Sequence, residues 1–432
     1  MIQNFSINSA QIDKIKKITN EEKNFRIKNL ELFNKSGFPS KRLEDWKFSD
    51  FKNIVDANFV ELDASAATFD LNKKDILKDF DHNHIFLVNG NLHSSNFEFE
   101  DNNKIKINSY DRSANFQLNQ NPLVCLNHAL AENGYSLEVN KNYKFKKVLV
   151  IYNFFTNDIK NKILNNKNKI KIGENSELHA LEYTVNESKF KFINNVYENI
   201  ILEKNSKLKS LHIQKNKNDG IFHKFLKNNL FLNSEYTNLI FSSGPKFNKL
   251  DIDCDLNEQN ANCNILSAQF LSNKEHNEIK TRINHLAPNC KSYQRIKNVL
   301  DENGKGIFQG KIYVKDIAQK TDAYQLSKAL LLNDNAEFNS KPELEIYADD
   351  VKCSHGSTSG NIDQDSIHYL MTRGLSKKDS TKLLIKGFLN DVVEFIKSTS
   401  IRNFVESKLE KNINGYYQYK ISIPNFFKKS KW

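Results

Sequence analysis

Glycine and proline are scarce in this chain of 432 residues, at 14 and 6, and methionine and tryptophan occur twice each. With so few glycines, none is arranged as a phosphate cradle: there is no G-x-x-x-x-G-K-[ST] loop and no dinucleotide-binding glycine motif. Nucleotide hydrolysis by this chain alone is therefore not expected, and if energy is used a partner supplies it. An H-E-x-x-H zinc motif is also missing. The five cysteines (Cys125, Cys254, Cys263, Cys290 and Cys353) are odd in number and include no C-x-x-C pair. That argues against a zinc ribbon and against a disulfide framework. Most of them read as buried thiols acting as small hydrophobes. No run approaches the roughly 20 apolar residues of a membrane span. The longest, Val148-Leu-Val-Ile-Tyr-Asn-Phe-Phe155, is of strand length. The start, Met1-Ile-Gln-Asn-Phe, lacks the basic and apolar character of a secretion signal, so a cytoplasmic protein is expected.

What is abundant is lysine and asparagine. The net charge is +11 and the pI about 9.1, which invites a nucleic-acid reading. The lysines are scattered among acidic residues, however, and no segment alternates basic and aromatic residues. Neither nucleic acid nor a membrane is expected as a partner.

Residues from about 8 to 36 have helical spacing, with Gly37-Phe-Pro39 as a stop. A short strand is expected at Ile85–Gly90 and a helix around Leu123–Asn133, giving an α-rich region over 1–135. From about 140 to 350 short runs alternate with period two. A repeat appears there: Asn175-Ser-Glu-Leu178, Asn205-Ser-Lys-Leu208 and Asn233-Ser-Glu-Tyr236 each follow an aliphatic strand. A weaker copy lies at Asn260-Ala-Asn262, and a fifth is read at Asn335-Ala-Glu-Phe338. Units this short cannot bury an apolar face alone and must stack on their neighbours. Without intervening helices the result is a β-solenoid over 136–355, although a two-sheet sandwich has the same turn spacing. From 356 to 432 helices return. Asp363 caps one that ends at Gly374, and Ser376 caps another with Leu383, Leu384, Phe388, Val392 and Phe395 on one side. A further helix follows Ile401, and Lys428–Lys431 reads as a solvated tail. Helical regions at both ends suit a solenoid, because open sheet edges need cover.

One segment carries chemistry: Pro342-Glu-Leu-Glu-Ile-Tyr-Ala-Asp-Asp-Val-Lys-Cys-Ser-His-Gly356. On a strand, residues two apart share a face, so Cys353 and His355 present a sulfur and an imidazole side by side. That donor pair suits iron–sulfur clusters, zinc or copper, but two residues do not close a site. The plainer reading also stands: Cys353 packed inward and His355 hydrogen-bonded to a turn near Gly356. A thiolate at Cys353 would need a lowered pKa, which Lys352 or a metal could provide.

Arg42-Leu-Glu-Asp-Trp-Lys47, Gly306-Ile-Phe-Gln-Gly-Lys-Ile-Tyr-Val314, Ala318-Gln-Lys-Thr-Asp-Ala-Tyr-Gln325, the Pro342–Gly356 segment and Tyr369-Leu-Met-Thr-Arg-Gly374 occur in one order. In these blocks the chain resembles the SufB/SufD family of iron–sulfur cluster assembly proteins. The likeness is strong over about 270–396 and thinner from 40 to 270. The Ala348–Gly356 run resembles the SufD branch, with Ser357 and Ser359 replacing the alanine and β-branched residue usual there. The resemblance implies a mainly β protein: a right-handed parallel β-helix flanked by N-terminal and C-terminal helical regions. It further implies a non-catalytic scaffold pairing with a SufB-like subunit, in a complex of one SufB, one SufD and two SufC-like ATPases docked on the C-terminal helices. Cys353 and His355 would then be cluster-related residues at the SufB interface. The cluster itself would be transient and shared with SufB, with no nucleotide on this chain. Trp46, Arg42 and Asp349-Asp350 would be structural anchors. A homodimer in the absence of SufB, a SufB-like paralogue, a generic solenoid binding protein and a polysaccharide-acting β-helix enzyme are the alternatives.

Overall fold

Period-two alternation gives each strand one apolar face, and the chain buries those faces by winding. The computed structural model describes residues 7–15, 18–55, 76–110 and 119–422. Its strands in chain order are β1 (His82–Val88), β2 (Asn91–Asn96), β3 (Ile105–Ser109), β4 (Tyr135–Val139), β5 (Val148–Phe155), β6 (Ile163–Ile172), β7 (Glu177–Asn186), β8 (Phe192–Leu202) and β9 (Lys207–Leu230). They continue with β10 (Glu235–Leu256), β11 (Asn262–Leu271), β12 (His276–His285), β13 (Lys291–Leu300), β14 (Lys305–Val314), β15 (Thr321–Leu331), β16 (Glu337–Ile346) and β17 (Val351–Asn361).

One face stacks β1, β5, β7, the first halves of β9 and β10, then β11, β13, β15 and β17, all parallel. The other stacks β4, β6, β8, the second halves of β9 and β10, then β12, β14 and β16. This is a two-faced parallel β-solenoid, and the sandwich alternative falls. The first coil is finished by two antiparallel pairs, β1 with β2 and β3 with β4. The solenoid thus recruits strands from the stretch read as α-rich.

Inward side chains stack rung on rung. Leu178, Leu208, Tyr236 and Cys263 form one ladder, and Ile172, Leu202, Leu230 and Leu256 another. All eight are buried. Burying a leucine of this kind contributes roughly 1.5–3 kcal/mol.

The repeated asparagines turn the corner between the faces. Asn142, Asn175, Asn205, Asn233, Asn260 and Asn289 all hold φ between 54° and 60°. Asparagine tolerates this left-handed conformation better than other non-glycine residues. Their amides also join in a column: Asn175 donates to Asn142 at 2.9 Å, Asn205 to Asn175 at 2.8 Å, Asn233 to Asn205 and Asn260 to Asn233 at 2.9 Å. Asn335 does not belong to this column. It lies at the opposite corner, between β15 and β16, and its φ is not left-handed. Asn142 and Asn289 are the left-handed corner residues that the tripeptide pattern overlooks, because Tyr143 and Cys290 follow them instead of a Ser-Glu or Ser-Lys pair.

The helices are α1 (Ala10–Asp13), α2 (Asn20–Ser36), α3 (Phe51–Ile54), α4 (Pro122–Leu130), α5 (Gln364–Thr372), α6 (Lys377–Val393) and α7 (Thr399–Ser422). The helical stretch over 8–36 is interrupted, because Thr19 caps α2 by accepting from the Glu22 amide. α2 and α4 pack on the outer side of the β6/β8 face, where Leu30, Phe33, Leu123 and Leu126 meet Ile163, Ile193 and Ile221. α6 and α7 cover the outer side of the other face: Ile385, Leu389, Val392, Phe404 and Val405 pack on Val150, Leu239, Leu266 and Val299. On α6 the buried apolar residues are Ile385, Leu389, Val392 and Val393, while Leu383 is exposed and Phe395, just past the helix, is partly exposed against Tyr293, so the apolar side is rotated from the one read in the sequence. Asp363 and Ser376 cap their helices as expected, and Gly374 has φ 92°. The Lys428–Lys431 tail lies outside the described residues. The C-terminal helices therefore flank the solenoid and do not cap its end.

Candidate functional site

The last coil is built from β16 and β17. β16 pairs with β14 and β17 with β15; among the described residues their other edges meet no strand. Most of β17 is exposed, and every residue of β16 is at least partly so. Beside this end the corner residues Ile317 (54% exposed) and Tyr347 (61%) bring apolar surface to solvent.

Register places the two candidate residues. Cys353 lies over Ala323 and His355 over Gln325. Gln325 is fully buried and donates to the carbonyl of Gly310 on the opposite face at 3.4 Å, so this side of the rung faces the lumen. Cys353 and His355 thus share the lumen side of the terminal strand, about 6.6 Å apart along it. Cys353 is half-buried among Ile312, Ala323 and Leu344, and His355 is exposed with no hydrogen bond among the described residues. Ser327 ties the mouth together, bonding Ser340 across the lumen at 2.8 Å and Ser357 above it at 3.0 Å.

The electrostatics correct one expectation. Burial pushes the Cys353 thiol up from its ordinary value; the Asp322 carboxylate adds to this, and a hydrogen bond with the Ala323 backbone opposes it. Lys352 does not lower it, since it points to the opposite side of β17, in register with Asp322. At neutral pH Cys353 is a neutral thiol unless a bound metal ion displaces its proton. Among the described residues no three His, Cys, Asp or Glu side chains are grouped to hold a metal, so Cys353 and His355 do not by themselves close a site. The other cysteines are buried and free of disulfides, as expected, and burial pushes the Cys125 and Cys290 thiols up to about 11.

The proposed anchors divide. Trp46 is fully buried, with Phe51 and His223 against its ring and the Lys249 ammonium 4.7 Å from it. Lys249, also fully buried, pairs with Asp251 at 3.2 Å and with Glu278, and donates to the Asp45 carbonyl at 3.1 Å. Ser49 and Gln309 donate to the same Glu278 carboxylate. Burial alone would raise the Glu278 carboxyl; Lys249, His276 and Ser49 hold it at about 2. Arg42 is exposed, and Asp350 acts through its backbone, which receives the Lys320 amide at 2.6 Å. Sequence reasoning missed this network. Its signal was the alternation Phe247, Lys249, Asp251, Asp253, which puts charges on the outer side of β10.

The arrangement is that of a β-solenoid protein with one end that no described residue covers, which displays a sulfur and an imidazole at its rim. Residues 154–388 match the family described as SUF system FeS cluster assembly, SufBD core domain. The chain belongs to that family. It is 25% identical to the iron–sulfur cluster assembly protein SufD of Escherichia coli over 90% of this chain and 92% of that protein. It is 27% identical to a SufBD family protein of Synechocystis over 56% of this chain and 53% of that protein. Against the chloroplastic protein ABCI7 of Arabidopsis thaliana the identity is 29%, over 54% of this chain and 49% of that one. No helix among the described residues is long and apolar enough to cross a membrane.

Proposed function

We propose that this chain is a non-catalytic, SufD-like scaffold subunit of iron–sulfur cluster assembly, working in the cytoplasm. Its open terminal coil receives a SufB-like subunit, and its C-terminal helices dock a SufC-like ATPase. The observation that carries this reading is the unpaired edge of β16 and β17 with Cys353 and His355 at its rim. Unpaired strand edges invite pairing with another chain. The cluster is cargo, held at that junction by donors from both subunits. For the ATPase, Tyr369, Met371, Leu375 and Leu383 offer exposed apolar side chains on and between α5 and α6. A working division of the chain is 1–135 as helical cover plus the first-coil strands β1 to β3, 136–355 as the main coil stack and 356–432 as docking region.

The test is anaerobic co-expression with SufB-like and SufC-like counterparts. The chain alone should show no ATPase activity and little stable cluster. The complex should assemble cluster, and His355→Ala should reduce cluster content while leaving the complex intact. Robust ATP hydrolysis by the isolated chain, or unchanged cluster content in the variant, defeats the proposal.

A further inference from the structure

Directly beneath His355 in the stack lies Gln325, and beneath that Gln294, both fully buried on the lumen side. Their amides are incompletely satisfied. Thr281 donates to the Gln294 oxygen at 2.6 Å, which fixes that amide and leaves its Nε2 without a partner. The Gln325 Nε2 donates to the Gly310 carbonyl, while its Oε1 has no partner. Position 310 matters for this: a Cβ there would come within 2.4 Å of the Gln325 Oε1. Glycine there admits that oxygen and the Phe308 ring, which the same Cβ would meet at 2.5 Å. A buried amide oxygen left unpaired is destabilising, and this one has two lone pairs to fill.

We infer that Gln325 is a positioning residue: its Oε1 accepts one ring N–H of His355, with the Gln294 amide steadying it from below, and so fixes which imidazole nitrogen carries a lone pair toward the open end. This rests on the proposed role of His355 and deepens it. A neutral imidazole can offer a lone pair from only one nitrogen, and the hydrogen bond made by the other decides which. Ligating histidines almost always anchor their second N–H on a carbonyl or carboxylate for this reason. In the column Thr281, Gln294, Gln325 and His355, the hydroxyl donates from the interior and the imidazole donates from the rim, and the Gln325 oxygen accepts the second of these.

The experiment uses the full chain with 15N-labelled histidine, with the His355 ring signals assigned by their loss in His355→Gln. At pH above the imidazole titration the wild type should show one tautomer in excess, by about fivefold for a single net hydrogen bond. Gln325→Leu and Gln325→Asn, which remove or withdraw the acceptor, should bring the tautomers toward the distribution of free imidazole. Gln325→Glu, whose carboxylate accepts the same N–H, should restore the excess. A residue that only supports packing would change stability in the leucine variant and leave the tautomer ratio alone. An unchanged ratio in both the leucine and asparagine variants, or no rescue by glutamate, overturns the inference. If the leucine variant does not fold, the asparagine and glutamate variants decide it. The readout needs no cluster. A tautomer that responds to position 325 alongside unimpaired assembly in His355→Ala would sink the functional proposal and leave this one standing.

Discussion

The amide of Asn205 donates to the amide oxygen of Asn175 at 2.8 Å while both backbones stand in the left-handed region, at φ 55° and 56°. Each asparagine therefore has two tasks, turning the chain and tying one coil to the next. Asn205→Ala removes two column hydrogen bonds, each worth about 1 kcal/mol, and adds roughly 1–2 kcal/mol of backbone strain. Asn205→Gly loses the bonds without the strain. Backbone amide exchange around this corner should quicken in both variants, and more in the alanine one. Equal protection in the two would show that the conformation does not matter.

Lys249 sits in the outer face of β10 beneath Trp46, neutralising two carboxylates. Lys249→Met leaves Asp251 and Glu278 buried without their cation, a change of the kind that costs about 3–5 kcal/mol. Denaturant unfolding should detect the loss. Limited proteolysis should cut first near residues 40–50, because that segment loses its tether.

Acid should release the same junction. Glu278 titrates at about 2 in the folded chain against an ordinary value of 4.5, so its stabilising contribution is complete above pH 4.5 and disappears as the pH falls toward 2. Asp251 is also held below its ordinary range, burial being outweighed by Lys249, His223 and Lys280. Trp46 fluorescence should report detachment within that window. With Glu278→Gln the acid-induced loss should be shallower, from a lower starting stability.

Cys353 has the most exposed of the cysteine thiols and a raised pKa. Iodoacetamide should label it in the native protein slowly at neutral pH, with a rate still climbing at pH 9. Cys125, Cys254, Cys263 and Cys290 should label only after unfolding. Docking of a sister subunit on the last coil should protect Cys353, and protection absent from a purified complex would place the interface elsewhere.

Asp391 on α6 receives Arg295 at 2.9 Å and Lys297 at 2.7 Å from β13. Asp391→Ala leaves those two cations side by side on β13 without their shared carboxylate. Faster amide exchange in α6 and weaker ATPase co-purification are expected, with the β-solenoid unaltered. Leu383→Glu should weaken co-purification alone.

The coil stack was legible because it is written twice: in alternation, and in asparagines whose conformation few other residues share. Cys353 and His355 were legible as a pair because strand geometry is simple. The Lys352 effect was misjudged because charge proximity in sequence ignores that adjacent strand residues face opposite ways. The exposed face of α6 was misassigned for a related reason: Leu383 is apolar enough for a core, and only the partner surface decides which side turns in. Gln325 and Gly310 could not be singled out, since their meaning depends on a register between strands about 15 and 30 residues away in sequence.

β17 ends the stack with every other side chain over the bore, and this makes recognition a matter of phase. A neighbouring strand that joined one residue out of step would keep most backbone bonds. Its own side chains would swap sides, and any donor it carried would land outside, where it could not meet the sulfur or the imidazole. Mispaired assemblies could therefore be stable and yet inert.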